Sequence, residues 1–340
     1  MTLPGRNGWI DGLRGLSAVA VALFHFNRIP TGIPPDRLSG AWHSFWLRGY
    51  WGVGVFFALS GFCLYPGWSR SADCLDFLRR RAVRIFPPYW GSLLLVAGVA
   101  LAAKLLTGVN DTTALPRQPL DLVATALLLT TPVSTVPTIN WVYWTLSCII
   151  AFYLVMGFVL LGPSAGRISW LVGLHLLFCL VDAGWPPPAT GPLFFVRYWP
   201  VFGVGLALAV AQQHRLAGCT MLTASFLHAA WLLGHGADQA HFVAVGGVTT
   251  ALLALCRDRI FPAALLACSR IGEISYSLYL VHVPVGVYAL TRFLPGKFTR
   301  PAAYIGCQLL LLAASLAVAK AFYFAAERPF LPQPAPAPLA

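Results

Sequence analysis

Residues 11–26 read DGLRGLSAVAVALFHF. The run is apolar enough for a membrane helix, yet it carries an aspartate, an arginine and a histidine. Arg14 and His25 are 11 residues apart. That is close to three full turns and roughly 16 Å along one helix face. A cation near one end and an imidazole deeper in therefore share a stripe. Ionisable groups are costly inside a bilayer, and those that occur face a polar cavity or path. The alternative is an arginine that snorkels to the interface and a histidine packed within a bundle.

The rest of the chain supplies such a bundle. Of 340 residues, 58% are hydrophobic and only 10% charged, with mean hydropathy +0.72. Soluble domains carry about 25% charged residues. The composition therefore predicts an all-α polytopic transmembrane bundle and leaves no polar stretch long enough for a soluble domain. Residues 1–330 read as one transmembrane domain, and 331–340, LPQPAPAPLA, as a disordered tail. The net charge of +12 would suggest nucleic acid in a soluble protein. Here it reads as Lys and Arg held in cytoplasmic loops, with the lipid bilayer as partner and no nucleic acid. The eight cysteines lack CxxC or ligand spacing, so they read as small core residues and no metal is expected. The first apolar stretch has no small-residue cleavage site after it and reads as a retained helix.

A span needs about 20 apolar residues. Ten candidates follow: 10–28, 50–67, 87–107, 141–161, 168–183, 193–212, 216–234, 239–256, 271–293 and 303–326. Leu120–Thr131, flanked by Pro116, Pro119 and Pro132, is short and reads as re-entrant or interfacial. With ten spans and a cytoplasmic N-terminus, inner loops hold about twelve Lys and Arg against seven outside. An eleventh span would flip the later loops and give about nine to ten. The positive-inside rule thus favours ten spans with both termini cytoplasmic. Asn110-Asp111-Thr112 is a glycosylation sequon on a predicted outer loop, and no internal repeat is visible.

Four further blocks carry polar chemistry or close packing. Gly52–Gly61, GVGVFFALSG, has the small residues that let membrane helices approach. Phe77–Trp90, FLRRRAVRIFPPYW, holds four arginines, with Pro87-Pro88 read as opening the next helix. Arg81 and Arg84 face the same way on a helical turn, and arginine forks bind phosphate bidentately. Asn140–Tyr153, NWVYWTLSCIIAFY, places Asn140, Thr145 and Ser147 in an aromatic span. Ser147 has no base nearby in sequence, so a hydrolase-type pair has little support. Ile271–Val285, IGEISYSLYLVHVPV, carries Glu273, Tyr276, Tyr279 and His282 ahead of a kinking Pro284. Trp144, Ser147 and Tyr276 are the candidate substrate-contacting residues.

In this order the blocks, with the closing AERPF, resemble the acyltransferase-3 family of integral membrane acyltransferases, which includes bacterial sugar O-acetyltransferases. The likeness runs from about Trp9 to Phe330. It implies about ten spans in a bacterial cytoplasmic membrane, and acyl transfer, acetyl above all, from cytoplasmic acyl-CoA to a hydroxyl of a cell-surface glycan. By position, Arg14 and His25 match the family's essential pair, Arg81 and Arg84 its donor-side arginines, and His282 its late histidine. One position departs. Where the family's tryptophan block reads like WSLSVE, this chain has Ile149. A missing carboxylate there predicts low activity and a gain on Ile149→Glu.

The expected mechanism follows. Arg81 and Arg84 hold the CoA phosphates, the pantetheine arm runs along the Arg14 stripe, and His25 takes the acceptor's proton as general base. A channel or transporter using the same stripe is the competing class, told apart by its failure to bind CoA. A catalytically impaired, glycan-binding relative is the third.

Overall fold

The computed structural model describes residues 8–28, 40–108, 115–236, 239–256, 263–288, 291 and 300–331. The Asn110 sequon, Arg257, Arg259 and tail residues 332–340 lie outside the described residues. Thirteen α-helices form among those described, and no strand. They are α1 (Gly8–Asn27), α2 (Ala41–Trp46), α3 (Gly52–Ser69), α4 (Cys74–Thr107), α5 (Pro119–Ala126), α6 (Trp144–Leu160) and α7 (Arg167–Gly184). There follow α8 (Trp199–Ala211), α9 (Arg215–Gly234), α10 (Gln239–Cys256), α11 (Ala263–Glu273), α12 (Ser275–His282) and α13 (Pro301–Phe322).

Eight helical segments are long and apolar enough to cross a membrane, which makes this an all-α polytopic membrane protein. Of the other expected spans, 239–256 is a helix of matching bounds, α10. The span expected at 271–293 is instead broken into α11, α12 and a π-helical run Val283–Tyr288 that starts beside Pro284. A proline removes a backbone donor, and a π-turn re-registers the ladder around the gap. At eight residues, or about 12 Å, α5 is too short to cross, as read from sequence.

One boundary differs from expectation. Pro87 and Pro88 do not open a helix; they lie inside α4, whose 34 residues run unbroken. The start is set earlier, where the Asp73 carboxylate accepts the Asp76 amide at 2.8 Å, the usual N-cap device. Gly108, at φ +72°, ends the helix in the left-handed region. A 34-residue helix is about 51 Å long, well beyond a hydrocarbon core of about 30 Å. Its arginine-bearing first turns therefore project past the apolar layer. The Tyr276 hydroxyl donates to the Ile85 carbonyl at 2.9 Å, bracing α4 just before the prolines.

Two close crossings set the architecture. A Cβ on Gly61 would run into the Phe202 carbonyl, and one on Gly205 into the Ala58 carbonyl. So α3 and α8 pack backbone to backbone, as small residues permit in membranes. Gly15 and Gly272 do the same for α1 and α11. Around α8 lies an aromatic core of Phe57, Phe152, Trp199 and Phe202, with Phe152 and Phe202 stacked at 4.3 Å. Three buried polar side chains here make direct pairs across helices. His228 Nε2 meets the Asp182 carboxylate at 3.0 Å, and Trp199 Nε1 donates to His175 Nδ1 at 3.1 Å.

The α3–α8 crossing yields a direct test. A side chain at Gly205 cannot rotate away from a backbone carbonyl, and overpacking costs about 1–3 kcal/mol or more. Gly205→Leu should lower the melting temperature of the detergent-solubilised protein. A melting temperature equal to the parent's would contradict this crossing.

Candidate active site

One cavity of about 2710 Å³ collects most of the singled-out residues. Arg14, His25, Arg81, Arg84, Trp144, Ile149, Tyr276 and His282 all line it. Its length can be read on several helices at once. On α1, Arg14 and His25 are roughly 16 Å apart. On α12, Tyr276 touches Ile85 of α4, six residues or about 9 Å before His282. On the α6 side, Tyr153 meets the Arg81 guanidinium at 5.7 Å, while Trp141 meets the His25 ring at 4.5 Å. The arginines and the histidines thus mark opposite ends of one elongated space.

At the histidine end, His25 Nδ1 and His282 Nε2 are 2.8 Å apart. The ring planes lie within 9° and the centroids are 5.0 Å apart. The two imidazoles therefore lie edge to edge, which aims an N–H at an in-plane lone pair. The direction of that bond follows from the far side of His282. Its Nδ1 sits 3.1 Å from the Leu278 carbonyl and 2.8 Å from the Tyr279 carbonyl. Carbonyls only accept, so Nδ1 carries the hydrogen. In the neutral ring Nε2 is then an acceptor, and His25 Nδ1 donates to it. This leaves the lone pair of neutral His25 on Nε2.

At the other end the cavity is basic. Six cationic side chains line it there against three carboxylates, Asp11, Glu273 and Glu327. Arg81 and Arg84 come from α4, Arg14 from α1, Arg270 from α11, and Lys320 and Arg328 from α13 and its extension. Arg81 lies over the Phe77 and Tyr153 rings at 5.6 and 5.7 Å, contacts that orient a guanidinium. Its Nε is buried with no hydrogen-bond partner among the described residues. A buried donor left unpaired is costly, and the same side chain lines this end of the cavity. Such a set suits the phosphates of a nucleotide-bearing donor.

Ser147 is placed elsewhere. Its hydroxyl donates to the Leu128 and Tyr143 carbonyls at 3.3 and 3.4 Å, and it does not line the cavity. Ile149 does lie at the cavity wall. It lines the same cavity as His25, eight residues beyond Trp141. The partner expected from that position is His282. Asp182 is engaged by His228. Glu273 adjoins Gly272, which packs on Asp11, at the far end of α1 from His25. Sequence reading missed Trp141, Arg28 and Lys320 as lining residues. The helical spacing of Trp141 ahead of Thr145 and Ile149 was the available signal. Among the described residues no three His, Cys, Asp or Glu side chains gather as for a metal.

Comparison with known proteins identifies the family. Nodulation protein 10 of Rhizobium leguminosarum bv. viciae is 32% identical over 109 residues, covering 32% of this chain and 28% of that protein. The aligned part thus spans under a third of the relative's length. No solved structure matches. The family model of the acyltransferase-3 proteins, described as an acyltransferase domain, matches residues 7–323, almost the whole bundle, and the chain belongs to the acyltransferase-3 family.

Proposed function

We propose that this membrane protein transfers an acyl group from cytoplasmic acyl-CoA to a hydroxyl of a cell-surface glycan. The observation that carries the reading is the two-ended cavity, with unpaired Arg81 at one end and a tautomer-fixed His25 at the other. The phosphates of the donor sit among Arg81, Arg84 and Arg14, and the pantetheine arm runs along α1 and α6 to bring the thioester to the histidines. His25 Nε2 removes the proton from the acceptor hydroxyl. The oxygen attacks the thioester carbonyl, the C–S bond breaks, and His25 returns the proton to the leaving CoA thiolate. While His25 holds that proton, its Nδ1–H still donates to His282, which orients and stabilises the imidazolium as a carboxylate does in other acyl-transfer sites. Trp144 and Tyr276 line the path between. A channel or transporter would need no imidazole locked in one tautomer.

His25→Ala should abolish CoA release by the purified protein while it still folds. His282→Ala should slow release by roughly 10² or more, the usual cost of losing an orienting or charge-stabilising partner. Normal turnover in the folded His25→Ala protein would remove His25 from the mechanism.

Arg81→Ala with Arg84→Ala should weaken CoA binding at least tenfold, about 1.4 kcal/mol, because charge-assisted phosphate contacts are lost. Lysine at both positions should restore part of it, lacking the fork. Calorimetry finding equal CoA affinity in the double alanine protein would make these arginines topology anchors only.

The same reading places the protein in a bacterial cytoplasmic membrane, with both termini and the α6–α7 loop inside. In a cysteine-free background, Thr135→Cys should label from outside intact cells and Ser164→Cys only after permeabilisation. The reverse pattern would invert the assignment of donor and acceptor ends.

A further inference from the structure

We infer that Trp141 is the platform on which the acceptor's sugar ring stacks, in a subsite at the histidine end of the cavity. This rests on the acyl-transfer reading above and names the part of the site that holds the second substrate. The indole lies 4.5 Å from the His25 ring centroid and at 80° to it. It lines the cavity and yet is 45% exposed. A tryptophan serving as an interfacial membrane anchor would turn towards lipid. This one lines the cavity and meets the His25 ring in a T-shaped contact.

The platform is rigid before anything binds. Trp141 opens a 3-10 turn, Trp141–Tyr143, ahead of α6. Asn140, fully buried, accepts the Val142 amide at 3.4 Å. The Val142 carbonyl accepts the Tyr279 hydroxyl at 2.6 Å. Tyr143 is buried, with its hydroxyl 2.8 Å from Ser92 Oγ. The backbone on either side of the indole is therefore tied to α4 and α12, and a ligand need not order it.

The surroundings fit a carbohydrate. The faces of a pyranose are lined with C–H bonds that pack on an aromatic plane, and its equatorial hydroxyls project from its edge. A ring lying on the indole brings those hydroxyls beside the imidazole. Arg28, one turn beyond His25, also lines this end and lies 5.5 Å over the Phe24 ring. Its guanidinium supplies donors for hydroxyl or ring oxygens and has no acceptor of its own. A straight-chain alcohol offers the hydroxyl but not the face, so stacking on Trp141 separates sugars from simple alcohols.

The test uses the purified full-length protein, acetyl-CoA as donor, and methyl glucoside, methyl galactoside and methyl N-acetylglucosaminide against butan-1-ol as acceptors. Release of the CoA thiol is the readout. The parent protein should saturate with at least one pyranoside at lower concentration than with butan-1-ol. Trp141→Ala should raise the KM for that pyranoside about tenfold, with the KM for acetyl-CoA unmoved, and Trp141→Tyr should restore most of the loss. An unchanged pyranoside KM in Trp141→Ala, or equal rises in both KM values, would overturn the platform. Preference for butan-1-ol over every pyranoside in the parent would overturn it too, while leaving acyl transfer intact. Absence of CoA release with any acceptor would instead sink the acyl-transfer reading on which it rests.

Discussion

An imidazole set within a membrane bundle needs a partner for each nitrogen that is not meant to react. His25 has one partner, the second imidazole of His282, held at 2.8 Å. That contact depends on much of the surrounding structure. It requires α12 to end beside the last turn of α1, and the Leu278 and Tyr279 carbonyls to fix the His282 tautomer. It also requires the close α1–α11 crossing at Gly15 and Gly272, which sets the path of the chain into α12. Buried polar groups in a bilayer are expensive unless satisfied. Here His25 Nε2 is the one nitrogen of the pair taken up by neither the other imidazole nor a carbonyl, and the His25 side chain lines the cavity.

The two halves of the bundle divide the work. The α3–α8 crossing and its aromatic core are densely packed, with Val201, Phe202, Val204 and Leu206 fully buried. Polar side chains there meet one another locally, Asp182 with His228 Nε2 and His175 with Trp199. The half built from α1, α4, α6, α12 and α13 surrounds the open cavity instead. A second network caps its histidine end. Gln308 Nε2 donates to Asn27 Oδ1 at 3.1 Å, and Trp42 Nε1 donates to Gln308 Oε1 at 2.7 Å. The short α2 is thereby fastened to the end of α1, two residues past His25.

Much of this was legible in the sequence, for a physical reason. Lipid solvent forces helices and exposes their length, so α1, α3, α6, α7, α8, α9, α10 and α13 could be read from apolar runs. The Arg14–His25 stripe could be read because helical periodicity fixes which residues share a face. Long-range pairing could not be read. Nothing local says that His282, 257 positions away, meets His25, so the missing acid at Ile149 looked like a missing partner. The α4 boundary was misread because Pro87-Pro88 is a common helix start, whereas the Asp73 cap fourteen residues earlier is a weaker local sign. Ser147 looked like a substrate contact from its polarity alone, but its hydroxyl is taken up by backbone carbonyls.

The central claim is that His282 locks His25 with its reactive lone pair on Nε2. Nitrogen-15 NMR of protein labelled only at histidine, with His25 assigned by comparison with a His25→Asn variant, reads this directly. The account predicts that His25 Nδ1 carries the proton and Nε2 does not, and that the His25 signals shift in His282→Ala. A His25 ring protonated on Nε2, or signals unmoved by removal of His282, would contradict it.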